Sequence, residues 1–242
     1  MQAALLGSFI SAMATLLGAI PLLFVRRLSE GWKDSLIAFA AGIMVAASTF
    51  ALIPQALEEA SILAVIVGLM AGVVALDLIE RNIPHVDVEG QPGRHASEAR
   101  YWLVIIALFI HNIPEGLSTG FSYASANAGL GPLVAISIGA QNIPEGLILG
   151  VFLLGSSMSK WKALAIVALT GLMEMVSAVA GYFAAEAVRH LIGFGLSFAA
   201  GAMLFIVYKE LMPESHGHGH ERVSTYSFIA GLLAMVCVSV WF

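Results

Sequence analysis

The sequence predicts an all-α membrane protein: eight transmembrane helices forming an inverted-repeat bundle, with both termini on the extracellular or periplasmic side. Three observations lead there. Hydrophobic residues fill 59% of the 242 positions and charged residues only 11%, whereas soluble domains carry about a quarter charged residues. Apolar runs long enough to cross a bilayer, about 17–25 residues, recur along the whole chain. The basic residues are sorted to one side of the layer that these runs define.

The runs fall at 3–25, 35–57, 62–79, 101–124, 130–154, 161–188, 191–211 and 225–242, and the chain reads as a single transmembrane domain, 1–242. The last run is short but flanked by Tyr226 and Trp241, residues that favour the membrane interface. No polar stretch is long enough for a soluble domain, and mean hydropathy is +0.91. With eight spans, one set of loops holds Arg26, Arg27, Lys33, Arg81, Arg94, Arg100, Lys160, Lys162, Lys209 and Arg222, and only Arg189 falls on the other side. The positive-inside rule makes the first set cytoplasmic, which suits a multi-pass protein of the plasma (inner) membrane. The single cysteine, Cys237, excludes an internal disulfide framework and a cysteine metal cluster. A net charge of −5 gives no sign of a nucleic-acid partner, so the lipid bilayer is the expected surrounding. The first run lacks the basic flank and small-residue cleavage site of a removable leader.

Two segments are almost the same: "IHNIPEGL" at 110–117 and "AQNIPEGL" at 140–147. His111 and Gln141 each lie about ten residues into their spans, near mid-membrane at about 1.5 Å per residue. The fourth span runs outward and the fifth inward, so the motif is inverted. A second echo pairs "FAAGIMVAASTFALIP" at 39–54 with "FAAGAMLFIVYKELMP" at 198–213, again on spans of opposite direction. Inverted repeats with a site at the midplane are a mark of secondary transporters. Small residues at 40–42 and 199–201 permit close helix packing.

The chemistry rests on polar groups inside these runs. His111 and Glu115 are four positions apart and share a helix face, as do Gln141 and Glu145. Between them Pro114 and Pro144 free the carbonyls of Ile110 and Ala140 and predict a kink, which a membrane tolerates where backbone lines a cavity or is buried in protein. Glu174, in the sixth span, adds a third carboxylate at similar depth. A central charge costs about 2.5–3.5 kcal/mol on insertion scales, so three cost about 8–10 kcal/mol. A bound cation is the natural compensation. With His111, Asn112, Gln141 and Asn142 they make a mixed oxygen and nitrogen set without thiolate, suited to Zn²⁺, Fe²⁺ or Mn²⁺ and numerous enough for one ion or two.

Plainer roles stand beside these. His111 alone reads as a packing histidine; Glu115 and Glu145 also suit proton carriers. Glu174 also suits a buried ion pair, although no Lys or Arg shares its depth. Asn112 and Asn142 serve equally as ligands or as partners for freed backbone groups, and Met44 reads as packing before it reads as a soft auxiliary ligand. Asp77 and Glu80, at the inner end of the third span, reach interfacial water. After the seventh span, "KELMPESHGHGHER" offers Glu210, His216, His218 and His220 as a secondary cytoplasmic metal site, or a solvated connector. His85 and His95 carry no assignment.

Taken together, "HNIPEGL", "QNIPEGL" and "MLFIVYKELMPESH" on eight spans resemble the ZIP (Zrt/Irt-like protein) family of divalent-metal transporters, prokaryotic type. The resemblance covers the whole chain. It implies uptake of a divalent metal into the cytosol, zinc first, with Cd²⁺, Fe²⁺ and Mn²⁺ as companions, and no cofactor or enzymatic activity. It implies a midplane site, often binuclear, at His111, Asn112, Glu115, Gln141, Asn142, Glu145 and Glu174, with Met44 raised to a ligand. It also implies a homodimer, and spans two, four, five and seven moving against the rest in an elevator-like or rocking cycle. The chain departs from relatives at Asn142, where some carry Asp, and at Lys209, where close ones place His beside the glutamate equivalent to Glu210. A cation at Lys209 opposes a metal site at Glu210. Two other classes fit less well. A metal-dependent intramembrane hydrolase lacks an HExxH helix here, and a proton-coupled carrier of organic solutes lacks an aromatic or cationic cluster for its cargo.

Overall fold

The computed structural model describes residues 1–24, 28–82, 97–155 and 158–241. Arg26, Arg27, Arg94, His85 and His95 lie outside the described residues. Helices account for nearly all of the described chain, and no strand occurs among the described residues. α1 (Gln2–Ala19) passes into a 3₁₀ turn at Ile20–Leu23. α2 (Glu30–Ala46) continues through a π-helical stretch, Ala47–Leu52, into α3 (Ile53–Glu59). α4 (Ile62–Arg81), α5 (Ser97–Ala124), α6 (Leu130–Gly155) and α7 (Lys160–Ala187) follow. α8 (Leu191–Ile206) runs through a second π-helical stretch, Val207–Leu211, into α9 (Met212–His216), and α10 (Glu221–Ser239) closes the chain.

Seven stretches among the described residues are long and apolar enough to cross a membrane: α1, Glu30–Glu59, α4, Leu130–Leu154, α7, Leu191–His216 and α10. The molecule is an integral multi-pass membrane protein. α5 has 28 residues, ample length for a bilayer at about 1.5 Å each, and it carries His111, Asn112 and Glu115 inside its run. The second stretch starts earlier than hydropathy places it, because capping rather than greasiness sets a helix start. The Ser29 side chain accepts from Trp32 N–H at 3.4 Å, satisfying a donor that the first turn leaves free. Ser61 and Ser159 do the same for α4 and α7.

Four of the eight prolines divide into two kinds. Pro114 and Pro144 stand inside uninterrupted α-helix. The widened turns fall instead just before Pro54 and Pro213, where Ile53 N–H bonds the Ser48 carbonyl and Met212 N–H the Val207 carbonyl. A π turn gives the ring room against the preceding carbonyls. Carried across by the register of the 39–54 and 198–213 echo, the first π stretch falls on 206–211, almost coincident with the second.

Packing sorts the helices into two bundles. α1, α5, α6 and α7 form one; α2 with α3, α4, α8 with α9, and α10 form the other. Within each bundle backbones touch at glycines. A side chain at Gly116 would run into the Glu174 carbonyl, joining α5 to α7, and one at Gly146 into the Thr15 carbonyl, joining α6 to α1. In the second bundle Gly42 meets the Phe228 carbonyl and Gly201 the Leu69 carbonyl. Between bundles the contact is made by side chains, as where the Phe121 ring covers Gly195. The expected grouping of spans two, four, five and seven as one body does not match this arrangement. Spans two and seven lie in one bundle and spans four and five in the other. α4 and α10 turn Ile66, Met70, Val74, Ile229 and Leu233 outward, as lipid-facing helices do.

Candidate metal site

The inward faces of α1, α5, α6 and α7 bring the twin motifs together. Glu115 on α5 and Glu174 on α7 have no exposed surface, and Gln141 and Asn142 on α6 are equally buried. Gln141 Nε2 donates to Glu115 Oε1. Asn142 Nδ2 donates to Glu174 Oε2 at 2.7 Å and to the Ser11 carbonyl at 3.2 Å. Ser11 Oγ donates to Glu174 Oε1 at 2.6 Å. Glu115 is thus held by an amide of the other motif, and Glu174 by two donors, an amide and a hydroxyl.

The three carboxylates share one electrostatic neighbourhood, because the charges of Glu145 and Glu174 both act on Glu115. Their geometry differs from three acids simply converging: amides stand between them. Among the described residues, no three His, Cys, Asp or Glu side chains form a ready-made cage. What remains is a set of unpartnered acceptors. Glu115 Oε2, Gln141 Oε1 and Asn142 Oδ1 are buried without a hydrogen-bond partner. Leaving a buried acceptor unsatisfied costs about 1–3 kcal/mol, and a hard or borderline cation is the partner that oxygen acceptors share.

His111 points elsewhere. Its Nδ1 lies 2.7 Å from the Ala107 carbonyl, which only accepts, so Nδ1 carries the hydrogen. Its Nε2 faces Glu210 Oε2 at 3.1 Å, across the boundary between bundles. Two lone pairs do not approach that closely unless a proton or a cation lies between them. Asn112 donates to the Leu108 carbonyl of its own helix at 2.8 Å. Met44 is packed in the apolar cluster with Ala41, Leu196 and Met203.

The four residues of the expected cytoplasmic group do not converge. Glu210 sits in the π-helical stretch and meets His111, while His216 turns back to the Met212 carbonyl at 2.9 Å. His218 and His220 both reach Asp34. Lys209 does not sit on the Glu210 site, because its Nζ lies 2.6 Å from Glu80 Oε2 and 5.2 Å from the centre of the Phe205 ring. Glu80, expected to face interfacial water, is therefore an ion-pair partner; Asp77 pairs with Arg81 at 2.7 Å.

Sequence reasoning missed Ser11 and Asp34. A signal for Ser11 existed: Ser8, Ser11 and Thr15 recur at helical spacing in an otherwise apolar run, and all three are buried. Asp34 offered none, being one acid among the polar residues at a helix start.

A multi-pass helical membrane protein that buries carboxylates and unpartnered oxygens between its helices belongs to the class that handles cations within the bilayer. Residues 80–239 match the family model described as ZIP Zinc transporter, and the chain belongs to that family. It is 35% identical to Zinc transporter GufA of Myxococcus xanthus over 98% of each chain. It is 32% identical to Zinc transporter ZIPB of Bordetella bronchiseptica, covering 96% of this chain and 79% of that one. Zinc transporter ZupT of Corynebacterium glutamicum is 31% identical over 93% of each.

Proposed function

We propose that this protein carries divalent metal, zinc first, across the inner membrane into the cytosol, and that it is not an enzyme. The observation that carries this reading is the trio of buried, unpartnered oxygens on Glu115, Gln141 and Asn142, beside Glu145 and Glu174. The zinc transporters that the chain resembles along most of its length support it. Glu115, Gln141, Asn142, Glu145 and Glu174 hold the ion, with His111 and Asn112 at the margin of the site and Met44 as a soft auxiliary. Two ions share the site when the bridging carboxylate is Glu115. Cd²⁺, Fe²⁺ and Mn²⁺ fit the same oxygen and nitrogen donors.

In this reading α5 completes a set of eight spans in a single domain, 1–242, with both termini outside. The bundle of α1, α5, α6 and α7 carries the ion past the other, and two copies associate as a homodimer. His111 is then the first group met on the inner side, since its Nε2 already faces Glu210. The hydrolase reading is weaker, because a catalytic metal needs an open position beside a separate acid or base, and here amides hold two of the carboxylates. An organic-solute carrier would not need acceptors left bare.

The test is uptake of radiolabelled Zn²⁺ into proteoliposomes. Saturable uptake is expected, lost in the Glu115→Ala/Glu145→Ala double variant. Uptake that survives both substitutions would remove the assigned site, and a flux of organic solute that survives chelation of divalent ions would favour the third class.

A further inference from the structure

Lys209 and Glu210 are neighbours in the π-helical stretch between α8 and α9, yet their charges go to different helices. Adjacent side chains leave a helix about a quarter-turn apart, so the two face different surroundings. Glu210 Oε2 lies 3.1 Å from His111 Nε2 on α5. Lys209 Nζ lies 2.6 Å from Glu80 Oε2, in the last turn of α4. The same ammonium stands 5.2 Å from the centre of the Phe205 ring, within the range at which an aromatic face attracts a cation. Arg81, the other cation at that end of α4, is paired with Asp77 at 2.7 Å.

The Lys209–Glu80 pair is partly exposed, 37% on the lysine and 18% on the glutamate. Such a pair adds little stability, so its consequence is where it leaves the charge. A lysine ammonium rides on a flexible four-carbon stem, and the Glu210 carboxylate, one residue on, is within its reach. On Glu210 it would meet His111, whose Nδ1 hydrogen is given to the Ala107 carbonyl at 2.7 Å and whose Nε2 is turned to that carboxylate. An ammonium there competes with the imidazole for the oxygen and repels any cation in the gap. Helix α4 packs chiefly on α8, so the influence of Glu80 on His111 passes through the π-helical stretch.

We propose that Glu80 is a positioning residue for the inner end of the ion route: it holds the Lys209 ammonium on α4 and so keeps Glu210 for His111. That an ion passes between His111 and Glu210 rests on the function proposed above; where the ammonium is held does not. The wide turn makes the sorting possible, because it presents two opposite charges side by side to two different helices.

Two experiments on the full chain test this. In detergent, a water-soluble carbodiimide joins a carboxylate to an amine in contact with it, forming an amide while the reagent takes up the water as a urea. Peptide mapping by mass should find Lys209 joined to Glu80 in the parent, and to Glu210 in Glu80→Gln. Coupling of Lys209 mainly to Glu210 in the parent, or no such bond in Glu80→Gln, overturns the proposal. In proteoliposomes, Zn²⁺ uptake should slow about fivefold in Glu80→Gln, the size of effect expected of one partly exposed ion pair. Lys209→Gln, and Glu80→Gln/Lys209→Gln together, should transport like the parent, because the displaced charge is then gone. Uptake in Glu80→Gln equal to the parent overturns the proposal, and so does a double variant as slow as Glu80→Gln, which would mark a merely structural loss at α4. If the parent itself takes up no Zn²⁺, the transport reading fails and the carbodiimide products still decide where Glu80 holds the ammonium.

Discussion

Asn142 Nδ2 donates to Glu174 Oε2 at 2.7 Å, so an amide on α6 holds a carboxylate on α7 in place. The amide does for Glu174 part of what a cation does, leaving its own oxygen bare.

Replacing that donor by an acceptor should shift the balance. In Asn142→Asp two carboxylates face each other at hydrogen-bond distance and need a cation between them. A hydrogen bond to a charged group is worth about 1.5–3 kcal/mol, and the variant should lose about that much stability when metal-free. Zinc should restore it and bind about tenfold tighter than in the parent. Thermal unfolding with chelator and with Zn²⁺ reads both effects.

Ser11→Ala removes the other donor to Glu174, at 2.6 Å, and leaves Oε1 unsatisfied. The expected loss is again about 1.5–3 kcal/mol, with Zn²⁺ uptake impaired although Ser11 is not among the proposed ligands. Uptake and melting temperature equal to the parent would show that α1 contributes nothing to the site.

Two glycines of the first bundle should respond in opposite ways. Gly116→Ala drives a methyl into the Glu174 carbonyl, forcing α5 and α7 apart at the site. Overpacking of this kind costs about 1–3 kcal/mol, and uptake should fall to background. At Gly139 the added carbon meets Ser11 Cα at 3.6 Å and Ala14 Cβ at 3.7 Å, ordinary contact distances. Gly139→Ala should therefore fold and transport like the parent. Uptake and unfolding of the pair, measured side by side, check the contrast.

The bundles are also latched away from His111 and Glu210. Asn127 Nδ2 donates to Gln55 Oε1 at 3.0 Å, and Ala126 N–H to Glu59 Oε1 at 3.0 Å, tying the α5–α6 turn to α3. If the bundles move past each other, this latch must open in each cycle. A thiol cross-linker between Gln55→Cys and Asn127→Cys, with Cys237 replaced by Ser, should arrest uptake. Cleaving the linker should restore it. Unchanged uptake in the linked protein would mean that the bundles do not separate here.

Membrane class, helix-forming runs and the depth of the polar groups could be read from the chain alone. Those follow from local physics: apolar runs partition into lipid, and residues four apart share a helix face. The echo between 39–54 and 198–213 coincides with a shared backbone feature that the sequence had not announced, the widened turn before each proline. Which polar group meets which depends on how the helices pack. Ser11 and Glu174 are 163 positions apart, and Asp34 and His218 are 184 apart. No periodicity reaches that far. The pairing of spans into two bundles was undecided for the same reason, because every span is apolar enough to pack on any other. Glycine-to-carbonyl contacts select the partners, and those depend on the three-dimensional fit of one backbone against another.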